Sequence, residues 1–376
     1  MSGAPAPRRW TWRELDCAGR AGGVAAADVE AWVALFNASF GKQKDRATWA
    51  WKYTANPHGP AVARVACAAD GRVVGAYAYV PRRFRLDGRP LLLMQASDAM
   101  TAPDHRGQGI FTGLDDIVCE AVGAAGVPWS FAYSGRRSFS GFLRNGWEHI
   151  GDVPLWRLVY RSRRALRRMG RLGPALALGA PLLDVLLGWR RRAALALPAG
   201  GLDRGERRLV RLERFDERAA ELFEAAAPRR GLVGVRDPAW LDWRYIDTPT
   251  RRHECFAVER DGALDGWLVT EWVDGHGYLV DHLARDAATR RFLLLAFAVL
   301  GERRGAQEAT ALLPSHHPSV ADLPALGFRA RPGGRAFRDV FPFIVRRCRD
   351  DAAPAARQLE AWHLADGDRD AEHMSP

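Results

Sequence analysis

The stretch TAPDHRGQGIFTGLDDI, residues 101–117, joins a segment with the pattern of a β-strand to one with the pattern of an amphipathic helix. A glycine-rich turn that opens a helix presents backbone N–H groups without partners inside the helix, and the helix dipole adds partial positive charge. Gly107 and Gly109 would let a ligand approach the backbone closely, and Arg106 would add a planar cationic donor. The stretch therefore predicts a binding site for a phosphate-like anion, with a plain tight turn as the alternative.

Two common nucleotide-binding motifs do not fit this turn. The residues RGQG do not complete G-x-G-x-x-G, and no Gly-Lys-Ser or Gly-Lys-Thr follows. The neighbouring patterns still describe an ordered domain. Two helical patterns and a hairpin turned at Asp70-Gly71 precede the strand RPLLLMQASDAMTA. A helix, a short strand, a second helix and a closing strand at residues 148–161 follow it. The order predicts a mixed sheet with helices on both faces.

The second half of the chain repeats landmarks of the first in the same order. The run Trp51-Lys52-Tyr53 is matched by Trp243-Arg244-Tyr245, DGRVVG by DGALDG, and FLRNGW by LPALGF. The glycine loop is not repeated, because the second half has VDHLARDAATRRFLL, in which Asp281 aligns with Asp98. The chain is therefore interpreted as a tandem duplication whose second copy has lost the anion-binding loop.

The net charge of +11 is concentrated in one segment. Ten arginines and one acid, Asp184, lie between residues 157 and 192, and only three of the 55 basic residues are lysines. Zinc-finger spacing, an RNA-binding aromatic signature and a basic zipper are all missing from the sequence, so no nucleic-acid partner is expected.

The same segment joins the two halves. Its apolar centre, residues 172–189, contains two prolines and an acid, which argue against a membrane crossing. An interdomain helical hairpin is one interpretation, and peripheral contact of residues 158–192 with anionic lipid is the other.

The repeat and the joining segment together divide the chain. The predicted organisation is a first domain at 1–157, a basic and apolar helical linker at 158–204, a degenerate second domain at 205–348 and an acidic tail at 349–376. Trp362 and Leu364 indicate that part of the tail packs.

Cysteine and histidine usage gives no metal or disulfide pattern. The five cysteines are scattered without a C-x-x-C pair, and His316-His317 has no third ligand at regular spacing. The N-terminus MSGAPAPRRW lacks the apolar core of a signal peptide, so a cytoplasmic location is expected, with attachment to the membrane surface as the variant.

The residues Pro103 to Ile110 resemble the acyl-CoA pyrophosphate loop, P-x-x-R-G-x-G-I, of the GCN5-related N-acetyltransferase (GNAT) superfamily. The run SFSGFLRNGW resembles a later helix of that fold, and WHLADGDRD resembles the ending of its two-domain members. The resemblance covers residues 25–155 directly and residues 205–345 through the repeat. It implies an α/β fold (α+β mixed sheet) made of two tandem acyl-CoA N-acyltransferase-like domains.

The resemblance also implies site residues and a co-substrate, acetyl-CoA or another acyl-CoA, with no metal. The expected cofactor-binding residues are Met100, Thr101, Ala102, Arg106, Gly107, Gln108, Gly109, Ile110 and Phe111. Asp98 is a candidate base that would deprotonate the amine, or else a structural carboxylate. Phe142 stands where many members have a tyrosine acid, so Tyr133 and Ser134 are the substitutes by position.

Two further departures concern Phe111, where a small residue is usual, and Gly135, where an asparagine is frequent. The implied activity is transfer of an acetyl group from acetyl-CoA to a primary amine of a small molecule, such as an amino sugar or a natural-product intermediate. A longer-chain N-acyltransferase and a non-catalytic CoA-binding sensor or scaffold are the alternatives. The expected partner is the amine acceptor, and a homodimer is left open.

Overall fold

The structure is a computed structural model that describes residues 10–161, 177–179, 181–182, 184–185, 203–204, 207–331, 334 and 337–370. The α-helices are α1 Ala26–Phe40, α2 Arg46–Tyr53, α3 Ile110–Ala124, α4 Phe139–Arg144, α5 Glu217–Ala226, α6 Pro238–Tyr245 and α7 Ala287–Arg303. The strands are β1 Thr11–Leu15, β2 Val62–Cys67, β3 Val73–Leu86, β4 Arg89–Thr101, β5 Trp129–Tyr133, β6 Glu148–Val159, β7 Asp203–Arg204, β8 Arg207–Leu212, β9 Leu232–Gly234, β10 His253–Arg260, β11 Ala263–Val273, β12 His276–Ala284, β13 Glu308–Leu312, β14 Val340–Arg347 and β15 Trp362–His363.

The chain forms two compact units, and each contains two segments of sequence. The first unit is Met1–Gly151 with Pro342–Ala361, and the second is Asp152–Phe341 with Trp362–Pro376. This division differs from the predicted boundaries of 1–157 and 205–348, because each unit includes a strand from the far end of the other half. The predicted linker at 158–204 lies almost wholly outside the described residues.

The first unit is built on the sheet β1-β2-β3-β4-β5, with residues 343–347 of β14 beside β5. The pairs are antiparallel except β4–β5, where parallel pairing is limited to Met94 with Ser130 and Gln95 with Phe131. Beyond these residues the two strands part. Aromatic side chains fill the core around Trp32, which makes edge contacts with Trp49 and Tyr53.

The second unit is built on the sheet β6-β13-β12-β11-β10-β8-β7. Within this sheet β12 and β13 pair in parallel, with His276 to Leu279 beside Glu308 to Ala311, and the short strands β9 and β15 form a second parallel pair in the unit. Helix α7 is almost entirely apolar on its buried side and packs on β11 and β12. The order α-α-β-β-β-α-β therefore occurs in both halves, once as α1 to β5 and once as α5 to β13, with the short strand β9 added between α5 and α6.

A strand exchange accounts for the unexpected boundaries. The predicted closing strand of the first domain leaves its unit at Gly151, and Leu155 to Val159 pair with β13 in the second unit. In return, Phe343 to Arg347 pair with β5 in the first unit. Helix α3 lies tightly on the incoming strand, because a Cβ added at Gly123 would stand 2.2 Å from the Cys348 carbonyl oxygen.

The tail and the joining segment differ in how much the structure describes. Trp362 and Leu364 are buried in the second unit. In the joining segment, Leu178, Leu182 and Val185 are described and exposed. None of the helices in the described ranges combines the length and apolarity that a bilayer crossing requires.

Candidate functional site

The glycine loop lies between the end of β4 and the start of α3. Pro103–His105 forms a single 3-10 turn, Arg106 is extended, and the chain then enters α3 through Gly109. Gly107 and Gly109 have φ of +77° and +73°, in the left-handed region that favours glycine. Because Gly109 occupies the N-cap position, no side chain caps the first turn of α3. The backbone N–H groups there are therefore available to an anion.

The space over the loop is open. A Cβ added at Gly107 would meet no atom within 4 Å, and one at Gly109 would meet only the Thr112 hydroxyl at 3.8 Å. Trp10 fastens the loop from the other side, since its indole N–H donates to the Gln108 carbonyl over 3.1 Å. The loop is thus held in shape without being covered.

Of the charged side chains in and beside the loop, Arg106 is the cation that remains available to a ligand. Asp104 pairs with His105 at 3.1 Å and with Arg72 at 3.4 Å. Arg106 is exposed and has no acidic partner among the described residues. His105 lies beside the Asp104 carboxylate, whereas the exposed Arg106 guanidinium can reach an incoming phosphate.

The end of β4 is shaped by a bulge. The register against β3 shifts between Ala76 and Ala78, so that Asp98 adopts φ of +50°. Met100 and Ala102 are buried, and the Ala102 amide donates to the Val74 carbonyl over 2.8 Å. The Ala102 amide therefore already has a partner in β3, and the expected cofactor contact at Ala102 stays a prediction.

Asp98 is enclosed by three donors. The Lys44 ammonium and the Tyr53 hydroxyl both donate to its Oδ2, and the Lys52 Nζ lies 3.2 Å from its Oδ1. Burial alone would raise the pKa of Asp98, but the two lysine charges and the hydrogen bonds from Lys44 and Tyr53 together lower it well below its usual range. A carboxylate held this firmly in the ionised form is a poor proton acceptor. The contacts favour the structural role for Asp98 over the role of base.

The same cluster occurs in the second unit. Asp281 Oδ2 accepts a hydrogen bond from the Tyr245 hydroxyl at 2.6 Å and an ion pair from the Arg236 Nε at 3.0 Å. Arg236 follows Lys44 by 192 residues, the offset that also separates the two tyrosines. Asp281 aligns with Asp98 in the repeat, whereas Lys44 and Arg236 were not among the predicted site residues. Their shared offset is the signal that could have found them.

The two substitute acids predicted at the end of β5 have different surroundings. Ser134 is buried, and its hydroxyl donates to the Gly135 carbonyl over 3.3 Å. Tyr133 is half-buried, and its ring packs edge-on against Phe343 of the exchanged strand with 5.0 Å between centroids. Strands β4 and β5 have parted before both residues.

The two bulky departures from the family pattern touch one another. The Phe111 and Phe142 rings pack edge-on with 5.1 Å between centroids. A Cβ added at Gly141 would approach Phe111 to 3.2 Å, so the glycine makes room for the larger ring. The phenylalanine at 142 is therefore a packing partner of the helix start.

Asp115 is a buried acceptor beneath the loop that the sequence analysis missed. It accepts hydrogen bonds from the Tyr79 hydroxyl at 2.8 Å, the Trp147 indole at 2.9 Å and the Asn145 amide at 2.7 Å. The exchanged strand adds Arg346, which donates to the same carboxylate. These contacts fix α3, and with it the anion-binding turn.

The corresponding helix start in the second unit cannot take a phosphate in the same way. The N-cap of α7 is Asp286, whose carboxylate accepts the Thr289 amide at 2.7 Å. A carboxylate at this position occupies the free donors and repels an anion. The start of α7 therefore lacks the uncapped turn that Gly109 gives the start of α3.

The thiols and the possible metal-ligating side chains of the described residues can be surveyed together. The five cysteines carry free thiols, and Cys119 and Cys348 have their sulfur atoms 3.3 Å apart. In the described ranges, no three His, Cys, Asp or Glu side chains are grouped to hold a metal ion.

Histidines of the second unit make its stability depend on pH. Burial lowers the pKa of His282 to about 4, below its usual value near 6.5. The unfolded chain then binds more protons below pH 6.5, so this stabilisation is present at neutral pH and is lost as the pH falls towards 4. We expect His282 alone to lower the free energy of unfolding by about 2 kcal/mol between pH 7 and pH 5.

Urea unfolding at both pH values measures this difference. His282→Gln should reduce the loss of stability on acidification, whereas His149→Gln in the first unit serves as the matched control. An unchanged pH dependence in His282→Gln would contradict the assignment.

Part of the first unit matches a known domain family. Residues 23–150 match the acetyltransferase (GNAT) domain family. No curated protein sequence matches the chain.

Several solved structures share the fold. An Enterococcus faecalis V583 protein described as a probable N-acyltransferase is 11% identical, with a TM-score of 0.62 over 90% of this chain and 73% of that one. A GCN5-related N-acetyltransferase from Kribbella flavida is 19% identical, with a TM-score of 0.56 over 93% and 73%. Saccharomyces cerevisiae N-myristoyltransferase with bound myristoyl-CoA is 11% identical, with a TM-score of 0.56 over 92% and 84%. At these identities the likeness concerns the fold.

Proposed function

The chain carries a GNAT acetyltransferase domain in its first unit, and from this premise we propose that it transfers an acetyl group from acetyl-CoA to the primary amine of a small molecule. An amino sugar or a natural-product intermediate is the proposed acceptor class. Acyl-CoA-dependent N-acyl transfer is the activity of the domain family, and the acyl length and the acceptor are the proposed details.

The observation that carries the proposal is the open, uncapped turn at Gly107 and Gly109. A CoA pyrophosphate needs several N–H donors, a cation and room for its oxygens. The turn offers the first-turn amides of α3, the unpaired Arg106 and space where a Cβ would otherwise stand. The residues present therefore fit the group, and the amides from Arg106 to Phe111 would hold it.

The chemistry requires two proton movements. A neutral amine attacks the thioester carbonyl, the C–S bond breaks, and the CoA thiolate leaves and must be protonated. We propose Tyr133 as the donor to that thiolate, because it stands at the end of β5 where the sheet has opened. Asp98 is proposed to hold the bulged strand through Lys44 and Tyr53, and the amine would lose its proton to solvent or to another group.

Turnover with a panel of primary amines tests the proposal. We expect amine-dependent release of CoA that is faster from acetyl-CoA than from butyryl- or palmitoyl-CoA. Tyr133→Phe should lower kcat by about a hundredfold or more, the low end of the effect of removing a general acid, with little change in the Kd for acetyl-CoA. Ser134→Ala is the matched control and should retain activity.

Other results would choose between the alternatives. Faster turnover of palmitoyl-CoA would indicate a longer-chain acyltransferase. Binding of acetyl-CoA without turnover of any amine would favour the sensor or scaffold.

Membrane contact through residues 158–192 remains a proposal for a segment that lies mostly outside the described residues. The exposed side chains of Leu178, Leu182 and Val185 support it, since apolar groups flanked by arginines suit an anionic lipid surface. The homodimer, the cytoplasmic location and the exclusion of nucleic acid stay predictions of the sequence.

A further inference from the structure

One face of α3 packs directly on the exchanged strand within the first unit. Asp115, Cys119 and Gly123 follow one another at intervals of four residues, so they lie along the same side of the helix. Arg346 of β14 donates to Asp115 at one end of this face. At the other end, a Cβ added at Gly123 would collide with the Cys348 carbonyl oxygen. Between these two contacts, the side chains of Cys119 and Cys348 meet.

The two sulfur atoms are in contact as free thiols. Cys119 Sγ lies 3.3 Å from Cys348 Sγ, whereas the sulfur atoms of a disulfide are about 2.0 Å apart. An approach of about 1.3 Å therefore separates this contact from a bond. The two residues are 229 positions apart in the sequence, and the strand exchange is what brings them together.

The positions of the two cysteines in the unit differ. Cys348 directly follows β14 and lies between the exposed Arg347 and Arg349. Cys119 is in the middle of α3 and is 5% exposed. The end of a strand opens locally more readily than the middle of a packed helix. A small reagent in solution should therefore reach Cys348 first.

The polar surroundings favour the same sulfur. Ser130 of β5 is fully buried, and its hydroxyl lies 3.2 Å from Cys348 Sγ. The hydrogen bond from the Cys119 thiol lowers the pKa of Cys348 more than burial raises it, and the Ser130 hydroxyl and a nearby arginine charge lower it further. The thiolate is the nucleophilic form of cysteine, so Cys348 is the more reactive of the pair.

Other cysteines of the chain have the surroundings of inert thiols. Burial is the main cause that raises the pKa of both Cys17 and Cys255 to about 12. These two thiols therefore stay protonated at neutral pH, and they provide an internal comparison for the reactivity of Cys348.

We propose that Cys119 and Cys348 form a site of reversible oxidation, at which a hydroperoxide converts the two thiols into a disulfide that fastens the exchanged strand to α3. This inference does not depend on acyl transfer in the first unit.

The oxidation takes place in two steps. The Cys348 thiolate attacks the terminal oxygen of the hydroperoxide, the O–O bond breaks, and the alkoxide or hydroxide that leaves takes a proton from solvent. The Cys119 sulfur then attacks the sulfenic sulfur of Cys348, the S–O bond breaks, and the hydroxide that leaves takes the Cys119 proton to give water. The two thiols lose two electrons, and the hydroperoxide gains them.

The disulfide should make the folded protein more stable. A cross-link restricts the unfolded chain, and the effect grows with the length of the loop that it closes. The two cysteines are 229 positions apart, so this loop is long. We expect Tm to rise by about 4 °C or more on oxidation and to return to its former value on reduction.

Hydrogen peroxide is the probe for the reduced full-length protein. We expect the number of thiols that an alkylating agent modifies after quenching and unfolding to fall from five by two. Peptide mapping without a reductant should identify Cys119 bonded to Cys348. These two thiols should be lost at least about tenfold faster than those of Cys17 and Cys255. Dithiothreitol should restore all five thiols.

Two variants test the roles of the two sulfurs. Cys119→Ala removes the second thiol, so oxidation should stop at a sulfenic acid on Cys348, which dimedone traps. Cys255→Ala, in the second unit, is the matched control and should form the disulfide like the parent. Circular dichroism and Tm establish that both variants are folded, and the thiol count of the parent needs neither variant.

Several results would overturn the proposal. They are retention of all five thiols by the treated parent, a disulfide between any other two cysteines, equal rates of loss for all five thiols, and an unchanged Tm after oxidation. Absence of a dimedone adduct on Cys348 in Cys119→Ala would contradict the proposed first step. Acetyl-CoA is titrated separately. If it fails to bind while the disulfide forms, the proposed acyltransferase function is contradicted and the oxidation site stands.

Discussion

Replacing Gly107 and Gly109 together by aspartate is expected to weaken acetyl-CoA binding at least a hundredfold. Both positions have φ near +75°, which an aspartate adopts at an energetic cost. The larger effect is electrostatic, because two carboxylates would stand where the pyrophosphate is proposed to lie. Calorimetric titration of acetyl-CoA into the parent and the variant measures the change.

Gly88→Asp is the matched control for this double variant. Gly88 lies in the turn between β3 and β4 with φ of +82°, and a Cβ there would meet no atom within 4 Å. The Gly88→Asp substitution therefore imposes a similar backbone strain at a site away from the glycine loop. Acetyl-CoA binding should be retained in this variant. Equal affinity of the parent and the double variant for acetyl-CoA would show that the pyrophosphate does not bind at this loop. That result would contradict the proposed function.

Asp98→Asn is expected to destabilise the protein by about 3–5 kcal/mol, the usual result of removing one partner from a buried ion pair. The side chains of Lys44 and Lys52 are 0% and 4% exposed, so the variant leaves two buried ammonium groups without their carboxylate. Urea unfolding monitored by circular dichroism measures the loss.

Asp281→Asn provides the comparison in the second unit. Because Asp281 accepts from Arg236 and Tyr245 in an equivalent cluster, its loss should be of similar size. A catalytic base would behave differently, since Asp98→Asn would then abolish turnover while leaving the free energy of unfolding close to that of the parent. That outcome would restore Asp98 to the role of base.

The loop and the duplication are predictable from sequence because they depend on local chemistry. Gly107 and Gly109 are required by left-handed backbone, and the order of strand, turn and helix follows from hydrophobic periodicity. The repeated Trp-Lys/Arg-Tyr run marks the buried anchor of each copy, where Tyr53 and Tyr245 bind the aligned carboxylates.

The role of Asp98 could not be predicted from the sequence. Its position on β4 is evident, but its pKa depends on burial, which raises it, and on Lys44 and Lys52, which lower it and reach it only in the folded unit. The hydrogen-bond partners of Asp115 also include a distant residue, Arg346, which is 231 residues away in sequence. Local patterns give the residue types, and tertiary contacts decide what they do.

The strand exchange could not be predicted in this way either. Residues 148–161 have the pattern of a strand, and that pattern is the same whether the strand pairs with β5 or with β13. The partner is chosen by long-range hydrogen bonding and packing, such as that of Gly123 on Cys348. Strand β1 was missed because its five residues are mostly exposed and carry charged side chains.

The strand exchange also delays the completion of the first unit during translation. The first unit lacks residues 343–347 until the ribosome has made residues 152–341. At about 5–20 residues per second, that interval lasts roughly 10–40 s. During it, β5 presents an open sheet edge, which is a site for wrong pairing with other chains. The nascent protein is therefore exposed to wrong pairing until residues 343–347 have emerged and paired with β5.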